Sequence, residues 1–517
     1  MTLVRIGCVV ALAFNLVGPV AAQGPVGVPA QVPVSDVRRL TVEEAVRLSL
    51  ENNLGIRVAR IDPQIQDLNV AQARDAWFPT FTSTLLGAGA DSPSNSFLSG
   101  ADTKTSDGRL STNVGVEQAL PWGGSYTVGW DTVRSTTTNL FSNFSPQLRS
   151  SLALSYRQPL LRGFSIDSAR QQVLVTEKNR DIADVSMRET IALTSRAVRH
   201  AYWDLAYAIA SLDVQRQSLA LAAESLRNTR ARIEIGTTAP VDAIESEAEV
   251  ALREEAVVLG EAQIANAEDA LRTLVYDPTD ADFWTLRIEP ADLPPFVPAA
   301  VDMDAAMRNA LERRSDLQQS RKNLEAQDVN IRYSRNQTLP DVTASIDYGL
   351  TGLGGTQFVR GAGFPGPIIG QTERSFGTVL GDLFGNDFPS WTASLNVRYP
   401  IGANPQEASL AKARLEYGQQ QTRLRNAELQ VAAQVREAGR QMLTNQRRVD
   451  TTTVSRQLSE RRLQAEERKL TAGTSTSFFV FQAQRDLAEA RNNELRAIID
   501  FQRSIVDFET VQEAPLR

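Results

Sequence analysis

The sequence predicts a mainly α-helical fold with a small β part, built from two copies of one unit. Three observations lead to this prediction: an internal repeat along most of the 517 residues, stretches of alternating apolar and polar residues, and two very long segments suited to helices. A repeat on this scale is the sequence signature of a duplicated architecture. We therefore expect the order helix, strand, strand, long helix and shorter helix to occur twice.

The repeat is visible when the chain is aligned with itself at two successive shifts. A shift of 261 residues matches the starts of the two copies, and a shift of 237 matches the ends of their long segments. The matched pairs include Ala45 with Ala306, Arg60 with Arg321, Asn69 with Asn330, Pro79 with Pro340, Val198 with Val435 and Gly236 with Gly473. The change of shift indicates about 24 extra residues in the first copy.

The first residues are typical of a secretory signal peptide. Arg5 precedes an apolar run that is too short to span a membrane, and Ala21-Ala22 supplies a small-residue cleavage site. The only cysteine, Cys8, lies inside this segment, so the exported chain would have no thiol, which suits an oxidising compartment. We expect residues 1–22 to be removed on export.

Prolines mark boundaries in the rest of the chain. Each strand region follows a residue–proline step, Phe78-Pro79 or Leu339-Pro340, because the residue before proline is pushed towards extended structure. The first predicted repeat is 23–284, with strands at about 78–159, a long helix at about 164–235 and a tip at about 236–240. A proline-rich linker follows at 285–300. The second repeat is 301–517, with strands at about 340–400, a long helix at about 405–472 and a tip at about 473–477.

Alternating side chains within these regions predict strands with two different faces. In the second copy, apolar residues occupy every other position, and polar residues lie between them: Val342, Ala344, Ile346 and Tyr348 against Thr343, Ser345 and Asp347. A period of two with one apolar and one polar face is typical of a half-buried strand. The alternative is a pair of surface hairpins on a water-soluble domain.

The long segments predict helices that no compact domain could enclose. Residues 164–235 contain neither glycine nor proline, and a helix of that length extends over roughly 100 Å. A compact chain of this size would have a radius of gyration of only about 24 Å. Large residues recur at every seventh position, which predicts a packing seam of Ile191, Val198, Leu205, Leu212, Leu219, Leu226 and Ile233. A plain coiled-coil stalk is the alternative.

Composition excludes several classes of function. The chain has 61 acidic and 54 basic residues and a net charge of −7, which argues against a nucleic-acid binder that neutralises phosphates. With one histidine and one cysteine, it can assemble neither a Cys/His metal cluster nor the usual nucleophile–histidine sites. We therefore predict that the protein is not an enzyme, with no catalytic residues, no metal site and no cofactor.

Export and strands together point to a sheet in a membrane. Such a sheet must close, because lipid leaves the backbone groups of an open edge unsatisfied, and closed barrels need at least about eight strands. Two strands per copy give four per chain, so several chains must share one barrel, and a trimer is the smallest oligomer that leaves a lumen. Two features stay open: 108–135 could add a hairpin, and 352–387 is long for a loop.

Several short motifs recur in a fixed order along the two copies. They are residues 40–45, the steps Phe78-Pro79 and Leu339-Pro340, residues 158–163 and 399–402, and the glycine turns at 235–238 and 472–475. In this order, behind a signal peptide, they resemble the TolC family of outer-membrane efflux proteins along nearly the whole exported chain. The resemblance implies a homotrimer whose transmembrane β-barrel of twelve strands is continued by a periplasmic α-helical barrel.

The resemblance also implies a function, a location and partners. The chain would be the outer-membrane channel subunit of a tripartite efflux or secretion system, located in the cell outer membrane with a long periplasmic extension. It would act as a passive conduit that partner proteins open at its periplasmic tip. The implied partners are outer-membrane lipid, a periplasmic adaptor (membrane fusion protein) and an inner-membrane transporter of RND, ABC or MFS type. An elongated coiled-coil envelope stalk without a pore is the alternative.

The helix tips supply the candidate site residues. A glycine just beyond a helix ends it by taking the left-handed conformation, so Gly236 and Gly473 mark two turns. The predicted adaptor contacts are Ile235, Gly236, Thr237, Thr238, Ala472, Gly473, Thr474 and Ser475. The candidate gate residues are Arg232, Asp242, Glu245, Arg468 and Lys469, each of which could equally be a solvated residue at a helix end. The heptad seam would pack in the tunnel wall.

Overall fold

The computed structural model describes residues 37–93, 104–236, 239–291, 296–363, 366–402 and 404–513. The first copy contains β1 (Val37–Leu40), α1 (Val42–Asn52), α2 (Leu54–Arg74), β2 (Thr80–Pro93), β3 (Lys104–Ala119), β4 (Ser125–Thr137), β5 (Phe144–Pro159), α3 (Ser168–Glu234) and α4 (Val241–Val275). After it come β6 (Arg287–Pro290), α5 (Met303–Arg313), α6 (Ser315–Gln337), β7 (Asp341–Arg360), β8 (Ile368–Arg374), α7 (Phe376–Phe384), β9 (Pro389–Arg398), α8 (Pro405–Thr471) and α9 (Ser477–Val511). The predicted signal peptide and residues 292–295 of the predicted linker lie outside the described residues.

The duplication extends from whole elements to single hydrogen bonds. α1 and α5 have 11 residues each, α3 and α8 have 67 each, and α4 and α9 have 35 each. Arg60 Nη2 donates to Leu50 O at 2.8 Å, and the equivalent Arg321 Nη2 donates to Leu311 O at 2.8 Å. The predicted duplicated, mainly α-helical fold is confirmed.

The helical segment expected before each strand region is divided into two helices. The chain is extended at Asn53 (ψ 123°) and at Arg314 (ψ 129°), the equivalent positions of the two copies. Asn53 Oδ1 accepts a hydrogen bond from Ile56 N at 3.2 Å and so caps α2. The bonds from Arg60 and Arg321 then cross each break, which fixes the second helix against the end of the first.

The two longest helices begin at side-chain caps. Asp167 Oδ1 accepts from Arg170 N at 2.8 Å ahead of α3, and Asn404 Oδ1 accepts from Gln406 N at 3.0 Å ahead of α8. Pro405 opens α8, where its missing N–H costs no hydrogen bond. Sixty-seven residues give each helix a length of roughly 100 Å. In the part of the chain that the structure describes, no helix has the length and apolar character needed to cross a membrane.

Strands β2 to β5 and β7 to β9 form a single antiparallel sheet. Its order is β2-β3-β4-β5-β7, and β7 then pairs with β8 over its distal half and with β9 over residues 341–350. Segment 108–135, which the sequence left open, is the hairpin β3–β4 inside this sheet. Among its described residues, the first copy therefore contributes four strands to this sheet and not two. The predicted count of two was too low because it included only the first and the last strand of each strand region.

The long segment 352–387 contains β8 and α7. α7 packs against β7 and β5, where a side chain at Gly352 or Gly354 would collide with Val379. Arg374 Nη2 holds α7 in place by donating to Asp382 Oδ1 and Oδ2 at 3.1 and 2.8 Å. This segment is therefore an ordered cover on one face of the sheet.

Each copy has its own apolar core among the helices. In the first, Val198, Tyr202 and Leu205 of α3 are fully buried beside the parallel pair β1–β6, and Tyr202 OH donates to Leu40 O at 3.0 Å. In the second, Val435 of α8 and Phe501 of α9 are fully buried against α5 and α6. Each pair of long and returning helices is thus a packed hairpin, α3–α4 or α8–α9.

Candidate functional sites at the sheet and the helix tips

The sheet has one apolar face and one polar face. Residues directly opposite each other on neighbouring strands share a face, and Tyr348 lies opposite Leu154 of β5 and Trp391 of β9. The apolar face includes Phe81, Leu85, Val114, Val116, Val128, Trp130, Leu152, Leu154, Ile346, Tyr348, Trp391, Leu395 and Val397. The polar face includes Thr82, Asn113, Asp131, Ser151, Ser155, Asp347, Thr392, Ser394 and Asn396.

The apolar face is strongly exposed in the single chain. Leu85 is 71% exposed, Trp391 76% and Leu395 63%. Soluble proteins do not leave an apolar surface of this extent in water, and an outward apolar band is the surface that a transmembrane sheet offers to lipid. On the polar face, Ser155 Oγ donates to Asp347 Oδ1 at 2.6 Å. The two faces therefore suit two media, hydrocarbon on one side and water on the other.

The outer strands β2 and β9 leave the sheet with two open edges. Among the described residues, each of them pairs on one side only. All residues of β2 and all but one of β9 are exposed. Unpaired backbone N–H and C=O groups cannot remain in lipid, so both edges need partner strands that the described part of the chain does not supply.

Both helix tips turn at a glycine in the left-handed region. Gly236 has φ of 79° and Gly473 has φ of 73°, and their N–H groups donate to Ile233 O and Leu470 O at 2.9 and 3.1 Å. A Cβ at either glycine would find open space within 4 Å. Glycine is therefore required by the backbone conformation and not by crowding.

The remaining residues expected to contact the adaptor lie around these glycines. Ile235 is 74% exposed, and Ala472 and Thr474 are exposed as well. Ser475 is half-buried, and its hydroxyl donates to Glu466. Thr237 and Thr238 lie outside the described residues. The structure thus brings the predicted contact residues of each copy to the end of its own hairpin.

Glu466 organises the second tip, although it is not among the predicted site residues. Its Oε1 accepts from Lys469 Nζ at 2.8 Å and its Oε2 accepts from Ser475 Oγ at 2.9 Å. Lys469 and Ser475 together hold the pKa of the Glu466 carboxyl below its ordinary value. Lys469, a candidate gate residue, therefore also braces the turn. A glutamate three positions before a lysine was the only available sequence signal, and such pairs are common on helices.

The other candidate gate residues surround the tips at different depths. Arg232 is half-buried and lines a cleft of about 300 Å³ between the end of α3 and the α8–α9 turn. Asp242 is half-buried, and its carbonyl accepts from Ser246 Oγ at 2.8 Å. Glu245 and Arg468 are exposed. The structure places all five residues within one or two turns of a tip.

A ladder of polar contacts joins the α3–α4 hairpin to the α8–α9 hairpin. Its rungs, from the sheet end towards the tips, are Arg196 and His200 with Asp507 (2.6 and 3.0 Å), Asp204 with Arg503 (2.7 Å), Ser211 with Asn492 (3.1 Å), Gln217 with Arg491 (3.1 Å) and Glu249 with Arg485 (3.0 Å). Burial would raise the pKa of Asp507, but His200 and Arg196 hold it below its ordinary value. Charged groups at each end thus tie the two copies together.

The rung nearest the tips is a buried carboxylate. Glu249 is 7% exposed and accepts from Arg253 Nε at 2.9 Å and from Arg485 Nη1 at 3.0 Å. Arg253 is itself buried. In the sequence, Glu249 is one of several glutamates on α4, and its partner Arg485 is 236 residues away. No local pattern could have identified this pair.

The heptad seam is buried at its centre and half-buried at its ends. Val198 and Leu205 have no exposed surface and Leu212 is 6% exposed. Ile191, Leu219, Leu226 and Ile233 are half-buried. Leu212 faces α4 so closely that a Cβ at Gly260 would lie 3.1 Å from its Cδ1. The centre of the seam therefore packs inside one hairpin, and the role of the whole seam in a tunnel wall stays a prediction.

A two-faced sheet continued by helical hairpins about 100 Å long is the architecture of an outer-membrane channel subunit. The chain belongs to the outer membrane efflux protein family, whose model matches residues 45–275 and 306–507. This result confirms the resemblance, the outer-membrane location with a long periplasmic extension, and the role of an efflux channel. No curated protein matches the chain.

Solved outer-membrane channels share the fold at low sequence identity. The chain is similar to the channel OprN (16% identity, 92% of this chain and 90% of the other, TM-score 0.64) and to CusC (14% identity, 92% of both chains, TM-score 0.65). It is also similar to the CmeC channel of Campylobacter jejuni (15% identity, 91% of this chain and 85% of the other, TM-score 0.62). The fold is therefore that of these channels, which agrees with the family.

Proposed function

We propose that the protein is the channel subunit of a tripartite efflux or secretion system, a passive conduit opened at its periplasmic tips by partner proteins. The observation that carries the proposal is the two-faced sheet, with its exposed apolar face and its polar face. The apolar face contacts outer-membrane lipid and the polar face lines a wet lumen, which α3 and α8 continue into the periplasm. Transport then needs no bond making, and the energy comes from the partner pump.

A homotrimer satisfies the open edges of the sheet. β2 of one chain pairs with β9 of the next, and three copies close a barrel that no single chain can close. The exposed strands at both edges support this arrangement. The further partners are a periplasmic adaptor and an inner-membrane transporter of RND, ABC or MFS type. In this organisation, residues 23–284 and 301–517 form the two repeats of each chain.

The channel opens at its tips because the contacts within each hairpin differ in kind from the contacts between the two hairpins. Apolar seams hold each hairpin together, whereas the polar ladder and Ile499 of α9, which packs in the core of the first copy, join one hairpin to the other. The α8–α9 hairpin can therefore move as a unit when these contacts are released. The adaptor binds the two tips around Gly236 and Gly473, and the candidate gate residues line the constriction. The buried rung at Glu249 supports this proposal because it ties the hairpins together close to the tips.

A conductance measurement separates the channel from a stalk without a pore. The detergent-purified, signal-free protein is added to a planar lipid bilayer, with boiled protein as the control. We expect a trimer that detergent alone extracts from the membrane and that gives discrete current steps. A protein that is monomeric and water-soluble after export, or trimers that never conduct even after Glu249→Ala, would contradict the proposal.

The tip glycines provide a test of the adaptor contact. Gly236→Val or Gly473→Val forces a β-branched residue into the left-handed region at a cost of about 1–3 kcal/mol, so the turn should shift while the barrel and helices stay folded. We expect near-normal trimer levels but reduced export of cargo. Gly418→Val is the matched control, because Gly418 lies inside α8 with open space around it and an ordinary backbone.

Cysteine crosslinking checks the direction of the tips. The exported chain would have no cysteine of its own, so Ala472→Cys on the exposed second tip gives a single thiol. It should crosslink to the adaptor in cells. Crosslinks that form only from the opposite ends of the long helices, for example from Gln406→Cys, would reverse the proposed orientation.

A further inference from the structure

We infer that each chain contributes six strand positions to the membrane barrel, so that the homotrimer encloses an eighteen-stranded pore. The family resemblance implies a barrel of twelve strands, and the difference is the hairpin β3–β4. The positions are β2, β3, β4, β5, β7 and β9, with β8 beside the distal half of β7. This inference rests on the proposed function, because it presupposes a sheet in lipid that trimers close.

The hairpin β3–β4 is continuous with the rest of the sheet along its whole length. β2 pairs with β3 without interruption from Thr80 to Pro93. β3 pairs with β4 from Asp107, which lies opposite Thr137, to Ala119, which lies opposite Ser125 beside the turn. β3 has 16 residues and β4 has 13, whereas a strand needs about 9–11 residues to cross a bilayer. Both strands are therefore long enough to span the membrane.

The hairpin also carries the same division into two faces as its neighbours. Val114 and Val116 of β3 lie opposite Trp130 and Val128 of β4 on the apolar face. On the polar face, Asn113 lies opposite Asp131. A flap outside the membrane would have no reason to keep apolar residues on the one face that is continuous with Leu152 and Leu154 of β5.

The turn of the hairpin, residues 120–124, lies at the end of the sheet that adjoins the helices. We call this end the helix end of the sheet. Gln118 Nε2 donates to Trp77 O at 2.8 Å, immediately before the step into β2. At the turn, a Cβ on Gly123 would come within 2.8 Å of Gly163 O, next to the start of α3. β3 and β4 thus start and finish at the same levels as β2 and β5.

An even number of strands lets the open edges pair in the antiparallel sense. β2 starts at the helix end of the sheet and β9 finishes there, so β9 of one chain and β2 of the next run in opposite directions. Barrel diameter grows roughly in proportion to strand number, so eighteen strands give a pore about 1.5 times as wide as twelve.

Single cysteines on β3 test this inference, with β5 as the reference. Val116→Cys and Asn113→Cys probe the two faces of β3, and Leu154→Cys and Ser155→Cys probe those of β5. Each variant is inserted in liposomes and treated with a lipid-soluble or a membrane-impermeant maleimide. We expect Val116→Cys and Leu154→Cys to lose labelling by the impermeant reagent, and Asn113→Cys and Ser155→Cys to keep it through the lumen.

The outcomes separate this inference from the proposed function. Alternating labelling on β5 with impermeant labelling at both β3 positions would overturn the eighteen-stranded barrel and leave the channel in place. Impermeant labelling at all four positions would overturn the membrane sheet itself. A second measurement uses disulfides between chains: Thr82→Cys on β2 should link to Asn396→Cys on β9, whereas a link from Thr127→Cys on β4 to Asn396→Cys would place the edge at β4 and overturn the inference.

Discussion

Leu212→Asp should abolish assembly of the folded trimer. Leu212 is 6% exposed and packs against α4 at Gly260. Losing this packing alone costs about 3–5 kcal/mol, and a buried carboxylate without a partner adds a further penalty. Since whole domains are stable by only about 5–15 kcal/mol, we expect the α3–α4 hairpin to fail to form. Trimer yield in the outer-membrane fraction measures the effect.

Two variants serve as controls for this prediction. Leu212→Met keeps the volume and apolar character of the side chain and should cost less than about 1.5 kcal/mol. Leu219 lies one heptad further along α3, and its side chain is only half-buried. Leu219→Asp should therefore reduce trimer yield less than Leu212→Asp does. Normal trimer yield from Leu212→Asp would show that the centre of the seam does not hold the hairpin together.

Glu249→Ala should open the channel at its tips. The substitution leaves Arg253 buried without its carboxylate partner, which costs about 3–5 kcal/mol in a buried site. It also removes the rung to Arg485, which is 41% exposed and therefore contributes less. The closed arrangement of the two hairpins should therefore become less stable relative to the open arrangement. We expect a larger single-channel conductance and greater sensitivity of cells to large antibiotics.

The same helix offers a matched control for Glu249. Glu247 pairs with Arg230 at 2.7 Å, but these side chains are 51% and 58% exposed, and a solvated pair of this kind contributes only about 0–1 kcal/mol. Glu247→Ala should leave conductance unchanged. A double-mutant cycle with Glu249→Ala and Arg485→Ala measures the coupling between the hairpins. Intact Glu249→Ala trimers with unchanged conductance would contradict the role of this rung in closing the tip.

Several features of the fold were predictable because their signals are local in the chain. Helix-ending glycines mark the turns at Gly236 and Gly473, because few other residues adopt a positive φ without strain. Alternating apolar residues predicted the two faces of β7, because side chains alternate along every strand. The self-alignment predicted the duplication, which reaches as far as the equivalent bonds of Arg60 and Arg321.

The two-faced pattern is weaker in β3 and β4 than in the strands predicted from the sequence. β3 and β4 contain the same alternation as β7, yet glycine, serine and threonine dilute it, and only the register beside Trp130 and Leu152 shows that they belong to the sheet. The breaks at Asn53 and Arg314 were missed for a related reason. A single extended residue between two amphipathic segments leaves the helical pattern on both sides nearly unchanged.

The sequence alone is enough to predict the duplicated unit, the long helices, the turns that end them and the two faces of the strands. Each of these depends on residues close together in the chain, whose spacing matches the period of a helix or a strand. The number of strands in the sheet and the pairing of Glu249 with Arg485 became apparent only in the folded chain. Such pairings depend on which distant segments meet, and the spacing of residues along one segment carries no information about its partner.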